Sequence, residues 1–202
     1  MQVPKVRTAP RDERRTRMIL LAVAGSALVL AAIVGAFFLF SGGGSANSGT
    51  IATLREAGCS YQNPKEQGRD HVDALPPNYK ANSVPRSSGP HSGQTLIFGT
   101  YTEVVPELNA VHNLEHGGVI IWFGPKVPQT TINEINALYI EDPNGLIVAK
   151  HPKLGDDIAL AAWTHVARCP RFDEDAAESF IDAFRGKGPE PFEISDLQPG
   201  SG

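Results

Sequence analysis

The spacing of hydrophobic positions changes several times along the chain, and each change marks a boundary. Residues 18–40 (MILLAVAGSALVLAAIVGAFFLF) run for 23 positions without a charge. As a helix rising about 1.5 Å per residue, the segment is about 34 Å long and spans a bilayer core of about 30 Å. It is longer than a signal-peptide core and no A-x-A-like cleavage site follows it, so it predicts a retained transmembrane helix. Residues 41–49 (SGGGSANSG) lack both charge and apolar periodicity and predict a flexible Gly/Ser linker.

From residue 50 onward the pattern is that of a folded domain. Residues 60–95 are rich in Pro, Gly, Ser and Asn, and predict a long irregular segment. Residues 96–101 (LIFGTY) and 118–123 (GVIIWF) are short apolar runs with branched and aromatic side chains, as buried strands have. A helix is predicted over 131–140, with Thr130 or Thr131 as its cap and Ile132, Ile135 and Leu138/Tyr139 on one face. Residues 146–149 and 158–166 predict two more strands. Over 173–185, Phe172, Ala176, Ala177, Phe180, Ile181 and Phe184 recur at helical spacing. Asp173, Glu174 and Asp175 fill the first turn of that helix, where its dipole favours negative charge. The reading is α+β: a single small mixed-sheet domain over 50–202, with four or five strands and two or three helices. One N-terminal transmembrane helix precedes it, and there is no internal repeat.

Charge sets the topology. Residues 1–17 carry six Lys/Arg against two acids and form a basic tail, whereas 41–50 carry no charge. The positive-inside rule then leaves 1–17 in the cytoplasm and makes the 50–202 domain extracytoplasmic, a single-pass membrane protein. The exported part has 12 basic and 20 acidic residues, which argues against a nucleic-acid partner. Its two cysteines, Cys59 and Cys169, sit in an oxidising location, where a disulfide is the default. Two thiolate metal ligands are the competing reading.

Candidate chemistry concentrates in the histidines 71, 91, 112, 116, 151 and 165. His112 and His116, four residues apart in VHNLEHG, project from one helix face about one turn apart, as a metal chelate requires. Glu115 adds a carboxylate beside them. A zinc or copper site needs further donors, and His71 and His91, on the irregular segment, are suited to close over the pair. The only methionines, Met1 and Met18, precede the domain, so Zn(II) or Cu(II) fits better than Cu(I). The letters H-x-x-E-H are also a metallopeptidase motif, in which His112 and His116 would bind zinc and Glu115 would act as general base. Against hydrolysis, the motif runs directly into Gly117, Gly118 and a strand-like VIIWF, and the domain is small. A third reading is a non-catalytic envelope interaction domain held by a Cys59–Cys169 disulfide, with Trp122 and Trp163 as core residues or partner anchors.

The ordered elements RDHV (69–72), PRSSGPH (85–91), GTY (99–101) and VHNLEHG (111–117) occur together with GC (58–59), AAW (161–163), Cys169 and GPEP (188–191). This set resembles the DUF3105 family of uncharacterised bacterial proteins, which often carry an N-terminal membrane anchor. The resemblance covers about residues 55–192. It implies that His71, His91, His112, His116, Glu115, Cys59 and Cys169 fall on shared motif positions, while His151 and His165 belong to the pattern less reliably. Where many relatives read PPxSGPH, this chain has Pro85-Arg86-Ser87-Ser88-Gly89-Pro90-His91, which replaces a proline and adds a charge. The resemblance supplies no substrate.

Overall fold

The computed structural model describes residues 45–202. The basic tail (1–17) and the apolar run (18–40) lie outside the described residues, and among the described ones no helix is long and apolar enough to cross a membrane. The domain is a small mixed α+β unit. In chain order its elements are α1 (Ser45–Glu56), β1 (Ser60–Gln62), β2 (Gly99–Val104), α2 (Glu107–Glu115), β3 (Val119–Phe123), α3 (Gln129–Glu141), β4 (Leu146–Lys150), β5 (Ile158–Ala162), β6 (His165–Cys169) and α4 (Glu174–Phe184). A 3₁₀ turn at Ile194–Asp196 ends the list. Helix α1 begins inside the segment expected to be a linker.

The strands form one six-stranded sheet in the order β1-β6-β5-β3-β4-β2. Strands β3, β4 and β2 are parallel neighbours, while β5, β6 and β1 extend the sheet antiparallel. The chain steps over β4 on its way from β2 to β3, then returns to β4 through α3. Two right-handed crossovers taken in opposite directions put their helices on opposite faces. Accordingly, Ile135 and Leu138 of α3 share one core with Val119, Ile121, Phe123, Phe180 and Leu54. Ala110, Val111 and Leu114 of α2 pack on the other face with Ile120, Trp122, Ile147 and Phe98. A strand covered on both faces must be apolar at every position, which is why VIIWF reads as a continuous run.

Several elements differ from the sequence reading, each for a local reason. The strand expected at 96–101 starts at Gly99 instead. The Leu96 N–H and C=O are both taken by the Asn113 side chain at 2.8 Å, and Phe98 pairs with the tail through Ser201 O and Gly200 N. The run 158–166 is two strands joined by a turn at Trp163-Thr164, with Thr164 at φ 59° and its N–H bonded to Ser87 O. Helix α3 starts two residues earlier than expected and is capped by Pro128 rather than a threonine. The acidic start expected for α4 is present in Glu174 and Asp175, but Asp173 precedes the first turn and caps it, its side chain accepting from Ala176 N. Trp122 and Trp163 are both buried. Cys59 and Cys169 form a disulfide that joins the residue before β1 to the end of β6 across a separation of 110.

Candidate metal centre

Helix α2 carries the His112/Glu115/His116 group on its last turn and buries Ala110 through Glu115. Its apolar residues face the sheet, whereas His112 and Glu115 face the loops. The carbonyls orphaned at a helix C-terminus need partners: Asn113 O and Leu114 O are taken locally by Gly118 N and Gly117 N, and the segment after α4 supplies donors to the carbonyls that follow. Glu190 N donates to Glu115 O, Phe192 N to His116 O and Gly186 N to Gly117 O. Gly188 makes this approach feasible, since a Cβ there would collide with the Glu115 carbonyl. Gly117, at φ +88°, lies directly against Gly186. The same tail fixes a ring: His116 Nδ1 donates to Glu190 O at 2.9 Å and the imidazole stacks on Phe192 at 4.1 Å.

The irregular segment delivers the other two histidines. His71 and His91 pair as a parallel bridge, with Val72 N donating to His91 O and His91 N to Asp70 O. The turn before His91 is braced by Arg86, whose guanidinium donates to Pro90 O and whose backbone N–H donates to Glu107 Oε1. One segment is therefore tied to α2 at both ends of the helix, by Glu107 at Arg86 and by Glu115 at His91.

The rings of His71, His91 and His112 form a nearly equilateral triangle with centroid separations of 5.0, 4.9 and 5.0 Å. The Glu115 carboxylate closes it. Glu115 Oε2 lies 2.9 Å from His91 Nε2, 3.9 Å from His71 Nε2 and 4.0 Å from His112 Nε2. One donor atom from each of the four residues falls within 4.8 Å of every other. Donors held about 2.0–2.2 Å from one tetrahedral ion sit about 3.3–3.6 Å apart, in the middle of the measured carboxylate–imidazole range. His116 is adjacent but further out, its Nε2 2.9 Å from His112 Nε2. The structure thus gathers four of the five residues singled out from sequence around one point and leaves the fifth touching that group.

Protonation follows from the outer hydrogen bonds. A carbonyl only accepts, so His91 Nδ1 carries its proton toward Gly89 O at 2.9 Å, and His116 Nδ1 does the same toward Glu190 O. In these tautomers Nε2 carries a lone pair directed inward, the outer-shell arrangement of metal-bound histidines. His91 Nε2 then faces the Glu115 carboxylate at 2.9 Å, a contact that calls for a proton or a metal ion shared between them. Among the described residues, Glu115 Oε1 is buried without a hydrogen-bond partner. Burial, followed by the charges of His116, His91 and His71, pushes the His112 pKa down to about 4, which keeps it neutral near pH 7. The C-terminal end of α2 adds the negative pole of its dipole, which favours a cation.

His151 and His165 lie outside this group. Buried His151 contacts Glu107 Oε1 at 3.3 Å. His165 Nδ1 accepts from Tyr61 Oη and Asn63 Nδ2, with its ring stacked on Phe184. Burial, then the Lys187 charge, lowers its pKa to about 4. Burial alone would raise the Glu107 carboxyl, but hydrogen bonds from His151 and the Arg86 backbone, with their charges, outweigh it and hold it below the usual range. Glu107, Arg86 and Gly188 support the site without being singled out as site residues in the sequence, although the PRSSGPH and GPEP elements contain two of them. Trp163 forms one wall, its ring edge-on to His91 at 6.0 Å.

The family described as "Protein of unknown function (DUF3105)" matches residues 72–196. No curated protein and no solved structure matches the chain. The chain belongs to the DUF3105 family, and it contributes to that family a domain with a buried His/Glu cluster and a Cys59–Cys169 disulfide.

Proposed function

We propose that this DUF3105 domain binds one transition-metal ion, Zn(II) or Cu(II), at the extracytoplasmic face of a membrane. His71, His91 and His112 supply imidazole nitrogens and Glu115 supplies a carboxylate oxygen. His116 Nε2 stands 2.9 Å from His112 Nε2, a hydrogen-bond distance shorter than that between two donors on one tetrahedral ion, and it would enter the shell as a further ligand only once the two rings move apart. The observation that carries the reading is the convergence of donor atoms from His71, His91, His112 and Glu115 within 4.8 Å of one another, with His91 turned by its Gly89 O contact so that Nε2 faces the Glu115 carboxylate at 2.9 Å. Both cysteines are engaged in the disulfide and the described residues contain no methionine, so the donor set is nitrogen and oxygen.

Binding is favoured over hydrolysis. A general base must be free to take a proton from metal-bound water, but Glu115 is buried and engaged by His91. The uncharged run at 18–40 behind a basic tail supports single-pass anchoring with a cytoplasmic N-terminus, and the acidic exported part does not suit nucleic acid.

A second reading rests on the same contact. A proton between His91 and Glu115 would make an imidazolium–carboxylate pair, and the domain would be a metal-free, disulfide-held interaction module for an envelope protein. X-ray absorption at the metal edge separates the two. The metal-binding reading predicts three or four imidazoles and one oxygen around the ion, with loss of the imidazole signature in His112→Ala/His116→Ala. A hydrated ion with no imidazole in its shell would leave the interaction module.

A further inference from the structure

The donors of the cluster are not held alike. The side chains of His91, Glu115 and His112 are 0%, 2% and 9% exposed, whereas that of His71 is 56% exposed. His91 is fixed through Nδ1 and by the Arg86 brace on Pro90. His112 and Glu115 ride on α2, whose last turn is tied down by the tail. Among the described residues, the His71 ring has no hydrogen-bond partner, and its nearest charged contact is Glu115 Oε2 at 3.9 Å. Its main chain is secured by the bridge to His91, so the ring can rotate about its own side-chain bonds while the backbone stays paired. Three donors form a preorganised cup and the fourth is a lid-like arm at its open side.

We infer that His71 is the exchangeable ligand of this centre. The ion is loaded and surrendered at this position, and an external neutral nitrogen donor, such as a histidine side chain of a partner protein, takes its place during transfer. This rests on the metal-binding reading above. The replacement is isosteric. The rings of His91 and His112, 5.0 and 4.9 Å from that of His71, bound a space shaped for one imidazole. Exchange at this position breaks one metal–nitrogen bond as another forms, and leaves the buried donors in place. The same exchange at His91 would require opening the Gly89–His91 turn and exposing a buried carboxylate.

The test uses the full chain in detergent, loaded with Zn(II), and follows transfer to a chromogenic chelator with and without millimolar imidazole. His71→Gly is expected to retain the ion with affinity reduced at least about tenfold and with faster transfer, and imidazole is expected to restore both. His91→Gly is expected to lose the ion without rescue, because that side chain is fully buried. Thermal melts of the metal-free His71→Gly protein should lie close to wild type, lowered only by the backbone freedom that glycine adds to the unfolded chain, since the ring is exposed. Loss of the ion in His71→Gly without imidazole rescue overturns the inference, as does unchanged affinity or equal rescue of His91→Gly. A wild-type protein that takes up no zinc overturns the metal-binding reading itself, which separates the two failures.

Discussion

Gly188→Ala tests how the site is held, by adding a single methyl group far from any imidazole in sequence. Gly188 is not in the left-handed region, so alanine meets no conformational penalty there. The obstacle is steric. The added Cβ would press on the Glu115 carbonyl oxygen and lie 2.6 Å from both the Glu115 carbonyl carbon and Gly117 N. These are backbone atoms at the end of α2 and cannot rotate aside, so the tail must lift. Lifting it breaks Glu190 N→Glu115 O, Phe192 N→His116 O and the His116 Nδ1→Glu190 O bond. At about 1 kcal/mol net for each, the expected destabilisation is about 3 kcal/mol in urea unfolding. Metal affinity should fall in parallel, because His116 loses its partner at Nδ1 and the end of α2 loses the donors to the Glu115 and His116 carbonyls. Gly200→Ala is the control. It sits at φ +86° with no atom near its added Cβ, and should cost about 1 kcal/mol from backbone strain without affecting the metal. Equal effects of the two substitutions, with metal affinity unchanged in both, would refute the reasoning.

Three further outcomes are expected. Glu107→Ala leaves the Arg86 N–H and buried His151 without their acceptor, and should cost about 2–3 kcal/mol in chemical denaturation; a cost below about 0.5 kcal/mol would contradict the brace. Replacing both cysteines by alanine opens a loop closed across 110 residues and should lower stability by about 3–5 kcal/mol, read by the same assay; an unchanged midpoint would contradict it. For the metal-free protein, His112 and His165 have folded pKa values of about 4, below the unfolded value near 6.5. The unfolded chain therefore binds more protons between those values. Stability should be full above pH 6.5 and fall progressively toward pH 4, with a shallower slope in His165→Phe; a flat profile across that window would refute the assignment.

How legible the molecule was in its sequence differs from element to element. VIIWF and the 173–185 amphipathic segment were readable because burial on two faces, or on one stripe, leaves a periodic signature. The turn at Trp163-Thr164 was not, because it uses no Gly, Asn or Pro, and Thr164 is held at positive φ by a partner 77 positions away, Ser87. Strand β1 is three residues on a sheet edge, with Tyr61 turned to the core between exposed Ser60 and Gln62, too short for its alternation to mark it. At the site, the i,i+4 spacing exposed His112 and His116, but their relation to His71 and His91 depends on a non-local bridge. Glu115 was visible as a neighbour of the pair. That its carboxylate faces all three imidazoles of the triangle, while His116 touches only the outer side of the group, depends on how α2 meets the irregular segment. Arg86 looked like a loop substitution and proves to be a buried brace.

The most direct test of the central claim is metal content. The full chain, purified without a histidine tag, is incubated with zinc and with copper, dialysed and analysed by elemental mass spectrometry beside a folded His91→Gln variant. The account predicts close to one equivalent of zinc or copper per wild-type chain and its loss in the variant. No retained metal in a folded wild-type protein would contradict the account and leave His91 and Glu115 as an ion pair within a disulfide-held domain.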